Sequence, residues 1–275
     1  MTIDDCRTGL EKISPSVFFI RGTEKNCNSY LIRGKRGYLL IDPGSMANFQ
    51  RLQKILSASA IEIPDIALII NTHEHHAHSG ASVFFQDSAF IAAHRLAAAK
   101  MTSYRGCRPV VNPTRHEKEP FRVDLWLGED NTIDTGHLRL SILHTPGHTC
   151  GSVCLYEARQ FLLFAGDTLR TEGNRPCGQD CESPADLSVS LSRLAMLKIA
   201  FLLPGHGPLS ERADRDIEKA MERALPSFNP GGGHREKSYR PASSLPDAAC
   251  TEGSSSQPVI IKMGMINDLE NKEGW

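Results

Sequence analysis

The sequence predicts an α/β domain on three observations: apolar runs of strand length, apolar residues at helical spacing between them, and turns marked by glycine or proline where the two alternate. The first 45 residues read as antiparallel sheet. Residues 17–20, 29–32 and 38–41 are rich in β-branched and aromatic side chains, with a Gly34-Lys35-Arg36-Gly37 turn joining the last two. Over residues 46–57, Phe49, Leu52, Ile55 and Leu56 recur at helical spacing, and 66–70 is an apolar run short enough for a buried strand. Residues 81–85 open a second helical segment, 89–93 suit a strand and 94–101 a third helix, while 102–120, rich in Arg, Pro and Asn, reads as an exposed loop. Strands over 138–143 and 152–156 flank the Pro146-Gly147 turn, and 161–165 runs into Gly166-Asp167. A helix over 186–199 carries Leu187, Leu191, Leu194 and Leu197 behind a Ser183-Pro184 start signal, a strand over 201–203 ends at Pro204-Gly205-His206-Gly207, and a last helix covers 211–225.

Beyond that helix the composition changes. Gly231-Gly232-Gly233 and Ser254-Ser255-Ser256 punctuate a stretch that divides the chain into a domain, 1–225, and a low-complexity disordered tail, 226–275. Within the tail the apolar patch 259–265 reads as weakly ordered, so truncation after Leu225 is expected to cost little stability.

With 40% apolar residues in 275, the chain can bury a sizeable core, and 31 basic against 32 acidic residues give no footprint of a dedicated nucleic-acid binder. No stretch has signal-peptide or membrane-spanning character, which makes the cytoplasm the expected compartment and excludes a membrane partner. The eight cysteines are then expected to be thiols rather than a disulfide framework.

The densest chemistry lies in Thr72-His73-Glu74-His75-His76-Ala77-His78, directly after the strand at 66–70. Three further ligand types each sit at a predicted strand end beside glycine: His148 in Thr145-Pro146-Gly147-His148-Thr149, Asp167 in Gly166-Asp167-Thr168, and His206 in Pro204-Gly205-His206-Gly207. Glycine lets the backbone turn sharply there, and loops held by a rigid sheet can bring residues distant in sequence onto one ion. Imidazoles with one carboxylate suit zinc, with iron or manganese as alternatives, and a catalytic ion keeps a position open for water.

This pattern resembles the metallo-β-lactamase superfamily over about residues 15–225, in the branch of glyoxalase II, lactonases and small ribonuclease-like hydrolases. The resemblance implies a four-layered αβ/βα sandwich with metal at one edge between two sheets. It also implies that His73, His75 and His148 hold one ion, that His78 and His206 hold a second, and that Asp167 bridges both and positions the attacking hydroxide. Asp42, in Asp42-Pro43-Gly44, resembles a structural aspartate that supports the ligand loop. Ala77 is a departure: the family has an aspartate there that ligates the second ion, and His76 is the neighbouring candidate to compensate. One or two zinc ions are therefore expected. The implied activity is hydrolysis of an ester, thioester or lactone of a small-molecule substrate. A mononuclear iron persulfide-dioxygenase-like enzyme and a non-catalytic metal-binding relative are the alternatives.

Around the ligands, Glu74 reads as an outward or supporting carboxylate, and His94, His116, His137 and His144 as structural or solvated. Cys150 and Cys154 read as small buried hydrophobes on one face of a strand. Cys177 and Cys181 are candidates for a redox pair or an extra metal contact, and Arg170 or Arg175 for binding a substrate anion.

Overall fold

A computed structural model describes residues 9–23, 26–102, 122–171, 182–224 and 259–264. Two sheets face each other. The first orders its strands β1 (Glu11–Ser14), β2 (Val17–Ile20), β3 (Ser29–Arg33), β4 (Tyr38–Ile41), β5 (Ile66–Asn71), β6 (Phe90–His94) and β7 (Leu125–Leu127), in sequence order across the sheet. Strands β1 to β4 pair antiparallel as hairpins, and β4 to β7 run parallel. The second sheet contains β8 (Asn131–Asp134), β9 (Arg139–His144), β10 (Val153–Glu157), β11 (Leu162–Gly166), β12 (Phe201–Pro204) and β13 (Val259–Lys262), in the order β12-β11-β10-β9-β8-β13.

The apolar runs are continuous because these strands are buried on both faces. In β4, Leu39 and Ile41 enter the core between the sheets while Leu40 faces outward onto α1 (Phe49–Ala58), whose Leu52, Ile55 and Leu56 meet it at helical spacing. In β11, Leu162 and Phe164 point between the sheets, and Leu163 and Ala165 lie under the outer helices α4 (Pro184–Ala195) and α5 (Ala213–Ala224). Helix, sheet, sheet, helix is the four-layered sandwich that the resemblance implies. Helix α4 starts where its signal predicts, the Ser183 hydroxyl accepting a hydrogen bond from the Asp186 amide at 3.2 Å, with Pro184 in its first turn. Among the described residues, no helix is long and apolar enough to cross a membrane.

Residues 81–85 form a 3-10 segment, Gly80–Phe85, rather than the start of an α-helix, and 94–101 becomes α3 (Arg95–Thr102). Cys154 lies on β10, but Cys150 precedes that strand, so the two do not share a strand face. The expectation for 259–265 needs correcting. Val259–Lys262 pairs in parallel with β8, Ile261 packs against the inter-sheet core, and Met263 is buried within it. The physical reason is the edge of β8: its unpaired backbone groups are a template for another strand, and Val259, Ile260 and Ile261 are strong strand formers. Residues 226–258 and 265–275 lie outside the described residues, as do 103–121 of the expected exposed loop and His116, Arg175, Cys177 and Cys181.

Candidate metal centre

The ends of five strands deliver the centre. Strand β4 leads to Asp42, β5 to Thr72 and His73, β9 through Thr145 to His148, β11 to Asp167, and β12 to His206. His75 caps, and His78 lies in, the single helical turn α2 (His76–Ser79). Hydrogen bonds between the two halves fix this junction: the Asn28 amide donates to the Gly205 carbonyl at 2.7 Å, the Tyr30 hydroxyl to the Pro204 carbonyl at 2.7 Å, and the Val153 amide to the Thr72 carbonyl at 2.9 Å.

All six expected ligands come together. His75 Nδ1 lies 3.1 Å from His73 Nε2 and 3.0 Å from His148 Nε2. It can share a proton with only one of them, so lone pairs converge where a cation would satisfy them. Three nitrogens ligating one zinc tetrahedrally at about 2.05 Å stand roughly 3.3 Å apart, close to this spacing. His78 Nε2 lies 3.2 Å from His206 Nε2 and 3.3 Å from Asp167 Oδ2, and the same oxygen is 3.5 Å from His148 Nε2, 3.8 Å from His206 Nε2 and 3.9 Å from His73 Nε2. Asp167 Oδ1 is buried and has no hydrogen-bond partner among the described residues. An imidazole cluster around a buried carboxylate with a free oxygen fits a divalent ion.

Electrostatics agree. Burial holds His73 well below the ordinary histidine range, lowers His75 and His206, and brings His148 down to about 4, so these four are neutral and have lone pairs to offer. Burial would raise the Asp167 carboxyl, but the charge and hydrogen bond of His78, with His73 and Arg170 adding to them, hold it well below the carboxylate range. Burial alone would also discharge His78; Asp167, Cys27 and Asp42 outweigh it and keep His78 well above its ordinary value.

Supporting residues fix the rings. Asp42 accepts from the Thr72 amide and hydroxyl, both at 2.7 Å, and stands 2.8 Å from His78 Nδ1, which leaves Nε2 of that ring for the cluster. Two glycines are required by space: a Cβ on Gly205 would lie 2.6 Å from Asp167 Oδ1, and one on Gly166, at φ +50°, 2.6 Å from the Thr72 hydroxyl. His76 is exposed and lies over Gly80, its Nε2 2.8 Å from where a Cβ would sit there. Its side chain therefore does not take the place of the carboxylate missing at Ala77.

Glu74 is a supporting carboxylate. It accepts from Lys100 Nζ at 2.7 Å and the Thr149 hydroxyl at 2.9 Å, while the same ammonium reaches Glu182 at 2.6 Å and Glu182 accepts from the Cys150 amide at 2.7 Å. Burial would lower Lys100, but its hydrogen bonds to Glu182 and Glu74 raise it and keep it charged. Glu74, Cys150 and Glu182 could themselves hold a cation, but Lys100 already supplies one. Lys100 and Glu182 have no local signature, since their partner Glu74 lies far away in sequence. His94 and His144 stack at 4.0 Å and are structural, as expected. Arg170, expected only from its position, donates to Asp167 Oδ2.

The sequence profile of the metallo-beta-lactamase superfamily matches residues 22–206. The chain is similar to an acyl-coenzyme A thioesterase, MBLAC2, of Gallus gallus, at 29% identity over 65% of this chain and 72% of that protein. It is also similar to a hydroxyacylglutathione hydrolase of Pseudomonas paraeruginosa, at 40% identity over 47% of this chain but only 42% of that protein. Among solved structures, a metallo-beta-lactamase family protein of Thermus thermophilus superposes with a TM-score of 0.65 at 23% identity, covering 77% of this chain and 80% of the other.

Proposed function

The chain belongs to the metallo-beta-lactamase superfamily, and from that premise we propose that it is a metal-dependent hydrolase of acyl thioesters, with esters and lactones open to the same chemistry. The observation that carries this reading is the convergence of His73 Nε2, His75 Nδ1 and His148 Nε2, with Oδ2 of an ionised Asp167 3.5 Å from His148 Nε2. The three histidines would hold an ion, with Asp167, His78 and His206 completing the centre. A zinc ion bound there supplies a Lewis acid and acidifies a water towards neutral pH.

The protein groups divide the remaining work. Asp167, held as a carboxylate, would orient the attacking water. Asp42 holds His78, and Glu74 with Lys100 holds the His73–His75 loop against the His148 loop, so the ligands need no rearrangement when substrate arrives. A thioester suits this donor set because four of the five clustered histidines are neutral and His78 is already engaged by Asp42 and Asp167. A thiolate, whose conjugate thiol has a pKa of about 8.5, leaves without a strong acid to protonate it. The named activities of the two relatives support thioesters over the other acyl classes.

The test is turnover of acyl-coenzyme A and acylglutathione thioesters, alongside a lactone panel, by protein stripped with a chelator and reloaded with zinc. Zinc-restored thioester cleavage is the expected result. Oxygen uptake with glutathione persulfide by an iron-loaded protein, without thioester cleavage, would replace this reading with the oxygenase one.

A further inference from the structure

The two clusters of the centre differ in what already neutralises them. His73, His75 and His148 present three imidazole nitrogens and no carboxylate. The other set, His78 and His206, has only two imidazoles and depends on Asp167 Oδ2, which is shared with His148 Nε2 at 3.5 Å and also accepts a hydrogen bond from the Arg170 guanidinium. The residue before His78 is Ala77, which adds no donor, and His76 is turned onto Gly80. A second divalent ion there would compete with a fixed guanidinium for one carboxylate oxygen, and like charges within a few ångströms repel strongly in a site shielded from water.

We propose that Arg170 replaces a second metal ion: the centre holds one ion, at His73, His75 and His148, and Arg170, seated on Asp167, is its second cation. A guanidinium stays charged at any working pH and so can stand as a permanent cation beside a carboxylate. The inference rests on the ligand set proposed above but not on the choice of substrate.

The test is metal stoichiometry. Full-length chain, stripped and reloaded with zinc, is dialysed against graded chelator, and its zinc content is compared with that of Arg170→Met and of Ala77→Asp/Arg170→Met. Wild type should retain one equivalent. Arg170→Met should keep a second to chelator concentrations about 10- to 100-fold higher than wild type does, and the double variant should hold it more firmly still. Two equivalents retained equally by wild type overturn the inference without reference to any variant, and so does a second equivalent no firmer in Arg170→Met than in wild type. Retention of no zinc at all would overturn the ligand set and this inference together, whereas one equivalent without thioester cleavage would sink the proposed activity alone.

Discussion

The two ends of the sandwich are held together by different forces. At the end that carries the histidines, buried polar groups satisfy one another: Asp42 joins Thr72 to His78, Glu74 joins Lys100 to Thr149, and Asp167 faces four imidazoles. At the opposite end the turns at 34–37 and 134–138 are tied by the Lys35 amide to the Thr135 carbonyl at 2.9 Å, and the C-terminal strand closes the sheet by burying Met263. Changes at the first end should therefore alter chemistry while the core stays folded, and changes at the second should alter stability while the chemistry persists.

The largest expected effect is at Asp167. Asp167→Asn removes the carboxylate that faces the Nε2 atoms of His73, His78, His148 and His206 and should cost at least about 100-fold in turnover, more than the loss of a supporting group, with the fold retained by circular dichroism. Wild-type activity in this variant would dissolve the distinction between the two ends. Gly205→Ala comes next. Its Cβ would sit 2.6 Å from Asp167 Oδ1 and 2.7 Å from His78 Cε1, so the ligands must shift, and turnover should fall by roughly 10- to 100-fold, with zinc retention falling in parallel.

At the other end, Met263→Ala should cost about 2–4 kcal/mol by opening a cavity between the sheets, or roughly 5–10 °C in melting temperature for a domain of this size, with kcat preserved at low temperature. Truncation after Leu225 should cost at least as much, the reverse of what the composition of the tail suggests. Calorimetry on both variants checks this, and a melting temperature equal to wild type would show that β13 contributes nothing to the fold.

The smallest effect sharpens the boundary between the ends. Burial, with the charges of His144 and Arg95, lowers His94 to about 4. A histidine depressed in the folded state contributes stability above its unfolded value of about 6.5, and that contribution is lost as pH falls through the folded value. Wild type should lose stability between about pH 6.5 and pH 4, and His94→Gln should lose less over that window. Parallel melting curves for the two proteins would show that His94 plays no part in it.

The legible parts of the molecule are those whose physics is local. The runs at 38–41, 66–70 and 161–165 are buried on both faces, so their composition alone marks them as strands, and the four histidines of 73–78 and the glycines beside His148, Asp167 and His206 mark a centre before any fold is drawn. Strand β7 is illegible because it is three residues long with Trp126 72% exposed, so it shows no apolar pattern. Strand β13 is illegible because only the edge of β8 gives Val259–Lys262 a partner. Lys100 is illegible for the same reason: its role exists only once α3 has been folded against the Glu74 loop.

The most direct test of the proposed centre is anomalous diffraction at the zinc edge from crystals of the zinc-loaded protein. A peak is expected about 2.0–2.1 Å from His73 Nε2, His75 Nδ1 and His148 Nε2. A zinc peak at Glu74, Cys150 and Glu182 instead, with none among the three histidines, would contradict it.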